Sequence, residues 1–366
     1  MLRVLVGTTL VLPLVFAMAK ASSAEEAYPR IEIGIDFEIQ NDGNFASDDS
    51  NNEFNDLFTT TEPGIGFFIL PGLSIQSGLV LEPVQNTQPG RNRVFDEHGF
   101  YVEQLYLLYE QPAFALFGGK FNPGFGISWD AAPGIYGTEV AEDTYEQTER
   151  IGFGGAINFG GEGIGGDGFG EHSLAAQTFF ADTSILSESL GENRGRTRLS
   201  DAGPANTEDL SSFSVTLDGQ FPEVAGAPGY HLGFIRNEGG RGDPEDEYGF
   251  AAALFGEIPL GDETSLAPLV EFVHLENAGV STNDQQIITG GATLGYGAWH
   301  LDLSHSSLFG DGDDVDRSQI SLGYSFDFGL AVDVGYKRDE TGGVETHTVG
   351  LLLHYALEFG FPNGGS

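Results

Sequence analysis

Apolar and polar residues alternate along most of the chain, the period-two pattern of β-strands. Near the start, Ile31, Ile33, Ile35 and Phe37 share one face, and the residues between them are acidic or glycine. Residues 349–361 repeat the alternation near the end. Such segments number about sixteen and average roughly ten residues, the length of a tilted membrane strand. The predicted strands are residues 30–39, 57–69, 73–83, 99–110, 114–121, 149–159, 172–181, 211–219, 230–236, 248–257, 265–275, 287–296, 299–308, 317–326, 330–337 and 346–359.

The links between these strands also alternate, in length and in charge. After several even-numbered strands they shrink to turns such as Pro71-Gly72, although the links 160–171 and 220–229 are longer. Long loops at one end and short turns at the other are typical of outer-membrane barrels. An even number of strands would place both termini on the periplasmic side. The long, acidic links follow odd-numbered strands and are residues 40–56, 122–148, 182–210, 237–247 and 309–316.

Residues 1–24 have the pattern of a secretory signal peptide. Arg3 gives a positive start, residues 4–18 are almost wholly apolar, and small residues follow. The alternative is a single membrane helix, but the apolar run is shorter than the ~20 residues that a span needs. We therefore expect residues 25–366 to form the exported domain, in which no apolar run is long enough for a membrane helix.

Composition excludes several classes of protein. The chain of 366 residues has a formal charge of −40, which is incompatible with general nucleic-acid binding. It has no Cys, so disulfide scaffolds and thiol catalysis are excluded. Its 29 Phe and 12 Tyr are too many for a disordered chain.

Alternation alone does not say which face meets water. A soluble sandwich buries its apolar face, whereas a membrane barrel turns that face to lipid and keeps a polar lumen. The strand count is high for a sandwich, so we predict an all-β fold, a transmembrane antiparallel β-barrel; a soluble secreted β protein is the alternative. Aromatic residues mark the predicted strand ends at Tyr28, Phe37, Phe159, Tyr230, Trp299, Tyr324, Tyr336 and Phe359, and ionisable residues occupy the opposite face at Glu38, Lys120, Arg150, Asp218, Glu271, Asp302 and Asp333.

Patterns typical of enzymes and of metal sites are missing from the sequence. Ser304 has His305 beside it, but neighbouring residues on a strand point to opposite faces. His300 shares the face of Ser304 at about 13 Å, too far for a catalytic pair. The acidic segment 311–316 lacks the glycine and the final glutamate of a calcium loop. We therefore predict no enzymatic activity, no cofactor and no metal site.

Two segments resemble Gram-negative outer-membrane porins. Residues 117–126, then Trp129 with Asp130, then residues 149–153 are similar to the fifth strand, third loop and sixth strand of porin-like proteins, including those assigned to siderophore uptake. The last strand resembles the terminal signal of outer-membrane proteins with Phe361 as its aromatic, although five more residues follow. The resemblance implies a water-filled channel, a location in the outer membrane of a Gram-negative bacterium, and a homotrimer.

The resemblance further implies that the third loop, residues 122–148, folds inward as a constriction. The alternative is an ordinary solvated outer loop. Lys120 and Arg150 at the two ends of this loop are expected to share the lumen-facing parity of their strands. Carboxylates that line a pore favour cations. The candidate constriction residues are Asp130, Glu139, Glu142, Asp143, Glu146, Lys120 and Arg150.

Together these patterns predict a porin for passive diffusion of small hydrophilic solutes, with a preference for cations. The expected partners are those solutes, cations and the lipid of the outer membrane. A substrate-specific channel or receptor, for a siderophore or a sugar, is the second hypothesis. The third is the soluble secreted β protein.

Overall fold

The computed structural model describes residues 28–166, 170–222 and 224–362, so the predicted signal peptide lies outside the described residues. Within them the chain forms sixteen barrel strands and three two-residue strands, Arg93–Val94, Leu190–Gly191 and Ile258–Pro259. The barrel strands are β1 Arg30–Ser47, β2 Asn55–Leu70, β3 Leu73–Pro83, β4 His98–Gln111, β5 Phe114–Phe121, β6 Arg150–Phe159, β7 Glu171–Ala181, β8 Ser212–Gln220, β9 Gly229–Asn237, β10 Glu247–Phe255, β11 Thr264–Glu276, β12 Gln285–Tyr296, β13 Trp299–Gly310, β14 Val315–Ser325, β15 Leu330–Thr341 and β16 Val344–Pro362.

The sheet closes on itself through its first and last strands. Ile35 of β1 lies opposite Pro63 of β2 on one side and opposite Leu357 of β16 on the other. Neighbouring barrel strands are antiparallel throughout the described chain. The predicted antiparallel barrel of sixteen strands is confirmed.

Burial runs opposite to that of a soluble sandwich. On β8, Phe213 and Val215 are exposed, whereas Ser214 and Thr216, which alternate with them, are buried. The same inversion holds on β4, where Leu107 is 48% exposed. The apolar faces of the strands therefore point outward and the polar faces point into the barrel, as expected of a membrane barrel.

Aromatic rings gather on the outer surface near one end of the barrel. The rings of Trp299, Tyr324, Phe326 and Phe328 form a chain with successive centroid distances of 4.8, 4.8 and 5.4 Å. Such rings are typical of the level at which a membrane meets water. Phe37 and Tyr336 do not mark strand ends as predicted, because β1 continues to Ser47 and β15 to Thr341 and both residues lie inside their strands.

We call the end of the barrel where β1 starts and β16 ends the turn end, and the opposite end the loop end. The turn end has two-residue links at 71–72, 112–113 and 297–298, while the loop end carries the long links 122–149 and 182–211. This agrees with the predicted alternation, except that the loop-end link between β15 and β16, residues 342–343, also has only two residues. Among the described residues, none of the helices is long and apolar enough to cross a membrane. The helices are α1 Ser128–Ala131, α2 Glu139–Thr144 and four 3-10 turns at Ser50–Asn52, Ile185–Ser187, Leu199–Asp201 and Ala278–Val280.

Candidate functional site

The link between β5 and β6, residues 122–149, carries α1 and α2 and is called loop 3 here. Its first half is fixed to β11 by one buried carboxylate. The backbone N–H groups of Ile127 and Ser128 donate to Glu271 at 2.6 and 3.0 Å, and the Tyr145 hydroxyl donates to the same carboxylate. Glu271 is only 1% exposed. Three donors on one buried carboxylate are a strong anchor, because hydrogen bonds to an ionised group exceed neutral ones in strength.

The middle of loop 3 reaches strands on the far side of the barrel. The Pro133 carbonyl accepts a hydrogen bond of 2.7 Å from Gln319 Nε2 on β14. The Tyr136 hydroxyl donates to Asp42 Oδ1 on β1, also at 2.7 Å. Since loop 3 starts at β5, these contacts carry it across the barrel interior.

A glycine on the wall makes room for this crossing. Gly335 on β15 lies against Ile135 of loop 3, and a Cβ atom at that position would be 2.7 Å from Ile135 Cδ1. That distance is far inside van der Waals contact, so a larger residue would push the loop away from the strand.

The short helix α2 determines the directions in which the acidic side chains of loop 3 point. Val140 and Ala141 are 3% and 1% exposed and pack into the apolar cluster beneath the loop. Because side chains advance by about 100° per residue, burying these two leaves Glu139 between Glu142 and Asp143, which point to opposite sides of it. Loop 3 therefore has two differently charged sides.

On the first side, called the paired side, each acid meets a base. Glu139 accepts from Lys337 Nζ at 2.8 Å and from Arg317 Nη1 at 2.9 Å. Arg317 also binds Asp339 of β15 at 2.5 Å. Asp143 lies 4.0 Å from Arg317 and its side chain is 78% exposed. The acids and bases of this side therefore largely cancel one another's charge.

The second side, called the acidic side, faces β2, β3 and β4. Burial, together with the charges of Glu142, Glu103, Glu62 and Glu82, raises the pKa of Glu146 to about 8. Burial and nearby carboxylates likewise raise the pKa of Glu142 to about 7. Like charges at short range disfavour ionisation in this way. Within the described chain, these five carboxylates have no Lys or Arg at ion-pair distance.

The wall residues of this side were not among the constriction residues predicted from the sequence. Glu62 lies on β2, Glu82 on β3 and Glu103 on β4. Glu82 accepts a hydrogen bond of 2.5 Å from Tyr101. One signal for them was present, because an acid inside an alternating strand predicts a lumen-facing position. Which strands loop 3 would face was not readable from the sequence.

Lys120 and Arg150 do not share a face, so that prediction is wrong. The register pairs Lys120 with Leu105 and with Ile151, and Leu105 is 40% exposed on the outer surface. Arg150 is instead paired with Phe121. Paired residues on neighbouring strands point to the same face, so Lys120 has the outward parity.

The Lys120 ammonium group also forms salt bridges with two carboxylates. Its Nζ lies 2.7 Å from both Glu149 and Asp182, and the residue is 3% exposed. Arg150 donates to Gln147 Oε1 at 3.3 Å. Lys120 therefore fixes the base of loop 3 to the neighbouring link instead of presenting a free charge to the lumen.

Asp130 occupies a third environment, on the turn-end side of loop 3. Its side chain is exposed, yet the enclosing barrel raises its pKa by desolvation. It borders a cavity of about 680 Å³ that separates loop 3 from the turn end. Polar wall residues of this cavity include Glu38, Asp218, Glu263, His300, Asp302, Asp333 and His354.

The serine and histidines considered for catalysis do not come together. His300 Nε2 lies 2.6 Å from Asp333 on β15. His305 contacts Ser318 and Ser307 at 2.8 and 3.0 Å. Ser304 is thus not hydrogen-bonded to either imidazole.

No protein-family model matches the chain, and no curated protein sequence matches it. Several solved structures match the chain. The chain is similar to the high-pH structure of Pseudomonas putida OprB, with 11% identity, coverage of 89% of this chain and 94% of that one, and a TM-score of 0.64. It is similar to Salmonella typhi OmpF in complex with daunomycin, with 13% identity, coverage of 90% and 98%, and a TM-score of 0.58.

A third similar structure is the outer membrane channel DcaP of Acinetobacter baumannii. The identity is 12%, the coverage is 90% of this chain and 96% of that one, and the TM-score is 0.51. At such identities the likeness concerns the fold. The chain has the closed β-barrel architecture of Gram-negative outer-membrane channels.

Proposed function

We propose that this protein is an outer-membrane porin, a water-filled channel through which small hydrophilic solutes diffuse passively, with a preference for cations. Its location in the outer membrane of a Gram-negative bacterium is supported by the outer surface. Leu116, Phe153, Leu303 and Val334 point outward and are each at least half exposed. An apolar belt of this kind is stable only against lipid. The homotrimer expected from the resemblance stays a prediction.

Loop 3 is proposed as the constriction of this channel. Its contacts with Glu271, Gln319 and Asp42 hold it across the lumen, so solutes would pass between the loop and the wall. The acidic side is the proposed passage, because the paired side is bridged by Lys337 and Arg317 bound to Glu139.

The observation that carries the cation preference is the set of five unpaired carboxylates on the acidic side. Charges next to a low-dielectric wall attract counter-ions and repel ions of like sign. Glu142 and Glu146 of loop 3 have a raised pKa near neutrality, so their average charge at pH 7 is below one each. The cation preference is therefore expected to be strongest at alkaline pH, where these carboxylates are ionised.

Single-channel recording on the refolded protein in a planar bilayer tests the proposal. Stepwise conductance, with a reversal potential of cation sign under a KCl gradient, is the expected result. A reversal potential of anion sign would overturn the proposed selectivity. Saturable block of the current by one solute would favour a substrate-specific channel. Absence of steps from folded protein would contradict the porin.

A further inference from the structure

Three potential metal ligands meet on the lumen wall below loop 3. His300 and Asp302 lie two residues apart on β13, so both point to the same face. Asp333 lies on β15, with β14 between the two strands. Gly323 of β14 is the register partner of both His300 and Asp333, and a side chain there would collide with both of them. The glycine lets the imidazole and the carboxylate meet across the intervening strand.

The donor atoms of this group are spaced as ligands of one ion. His300 Nε2 is 2.6 Å from Asp333 Oδ1 and 3.6 Å from Asp302 Oδ2, and all three donor atoms lie within 4.8 Å of one another. Ligands placed about 2.1 Å from a tetrahedral metal are roughly 3.4 Å apart. The second distance already fits, and the first must open by less than about 1 Å.

The net negative charge of His300, Asp302 and Asp333 also favours binding of a cation. Asp302 and Asp333 are 4% and 7% exposed. Among the described residues, their ion-pair contacts are with His300 alone, and no Lys or Arg reaches either carboxylate. One imidazole supplies at most one positive charge against two negative ones, and buried carboxylates require a charge partner.

Neighbouring hydroxyls hold one of the carboxylates in place. Thr293 Oγ1 donates to Asp302 Oδ1 at 2.6 Å, and Ser321 Oγ donates to Oδ2 at 3.2 Å. Hydrogen bonds of this kind orient ligands in metal sites. The cavity of about 680 Å³ adjoins all three ligands, so an ion could enter from the lumen and keep a water ligand.

We infer that His300, Asp302 and Asp333 form a binding site for one divalent transition-metal ion of the Zn²⁺ class. His300 Nε2 and one oxygen from each carboxylate are the protein ligands, and water from the cavity completes the coordination. A mixed imidazole and carboxylate set selects this class over Mg²⁺, which prefers oxygen ligands alone. The site goes beyond the proposed channel function and beyond the sequence analysis, which expected no metal.

Isothermal titration of Zn²⁺ into tag-free, refolded protein tests the site without reference to conduction. We expect one saturable site per chain, with affinity at least tenfold lower in His300→Gln and in Asp333→Asn. Asp333→Asn keeps the size of the side chain and so retains the fold, which far-UV circular dichroism would check. His305→Gln is the matched control, because His305 lies on the same strand and is exposed on the other face.

Unchanged affinity in both His300→Gln and Asp333→Asn would overturn the inference, since Zn²⁺ would then bind elsewhere among the many surface acids. Equal loss in His305→Gln would overturn it for the same reason. Displacement of the bound Zn²⁺ by equimolar Mg²⁺ would contradict the proposed ligand class.

Discussion

The two sides of loop 3 are built from the same residue type and have opposite electrostatic consequences. On the paired side, Glu139 is held between Lys337 and Arg317 at 2.8 and 2.9 Å. On the acidic side, Glu142 and Glu146 face a wall that adds more carboxylates. The paired acid fixes the loop to the barrel, whereas the unpaired acids shape the potential of the passage.

This difference shows why the net charge of the chain says little about selectivity. A formal charge of −40 counts both kinds of acid equally. An ion pair in contact is nearly neutral at the distance of a passing ion, while the potential of an unpaired, ionised carboxylate extends for about a Debye length of 8–10 Å before salt screens it. Only acids without a partner beside the passage contribute to the proposed cation preference.

Releasing loop 3 from the barrel wall should abolish the difference between its two sides. Among the predictions, this change has the largest expected effect. In Glu271→Ala, two backbone N–H groups and the Tyr145 hydroxyl lose their acceptor. We expect a loss of about 3 kcal/mol in unfolding free energy, because buried donors would be left unsatisfied. Thermal unfolding in detergent measures this loss, and bilayer recording should show a noisier open channel.

Glu276→Ala is the control for this change, since Glu276 lies on the same strand but is exposed. It should unfold at the temperature of the unsubstituted protein and conduct quietly. A Glu271→Ala variant with unchanged stability and unchanged current noise would show that the carboxylate is not the anchor of loop 3.

Of the two sides of loop 3, the acidic side should respond more strongly to a change of pH, and the expected effect is intermediate. Because the pKa of Glu142 is about 7 and that of Glu146 about 8, both take up protons as the pH falls through this range. The ratio of K⁺ to Cl⁻ permeability should therefore fall between about pH 9 and about pH 6. The pH profile of the reversal potential measures it. A profile that stays flat, or that rises toward acid pH, would contradict these titrations.

Removing one acid and one base together from the paired side should have the smallest effect. The double substitution Glu139→Gln and Lys337→Gln leaves the net charge unchanged, so we expect selectivity close to that of the original channel. Glu139→Gln alone leaves Lys337 without its acidic partner, while Arg317 keeps Asp339, and should shift selectivity toward anions. Reversal potentials of the two variants separate these cases. Equal shifts in both would show that the pairing does not neutralise this side.

The barrel itself was predictable because its signal is local and repeated. Alternation such as that of Phe213, Ser214, Val215 and Thr216 fixes both the strand and the face of each residue. The even number of strands allows β1 and β16 to close the barrel as an antiparallel pair, and they do. The strand ends were less predictable, because β1 extends to Ser47 through polar residues whose alternation is weak.

The site was predictable only in part. Loop 3 could be located from its length, its glycines and its acids, but its partners lie far away in sequence, as Glu271 and Asp42 do. The wrong parity of Lys120 has a different cause. Lys120 has the parity of the exposed Leu116, but the opposite face of β5 is also apolar, with Phe121 buried. Because both faces of this strand carry apolar residues, its alternation does not show which face meets lipid.

The measurement that tests the central claim most directly is the reversal potential of a variant with Glu142→Gln and Glu146→Gln, under a KCl gradient at alkaline pH. The control is Asp313→Asn with Asp314→Asn, which removes two exposed acids at the loop end. The account predicts that the first variant loses cation preference and that the control retains it. Equal reversal potentials in both variants would contradict the claim that unpaired acids beside loop 3 set the selectivity.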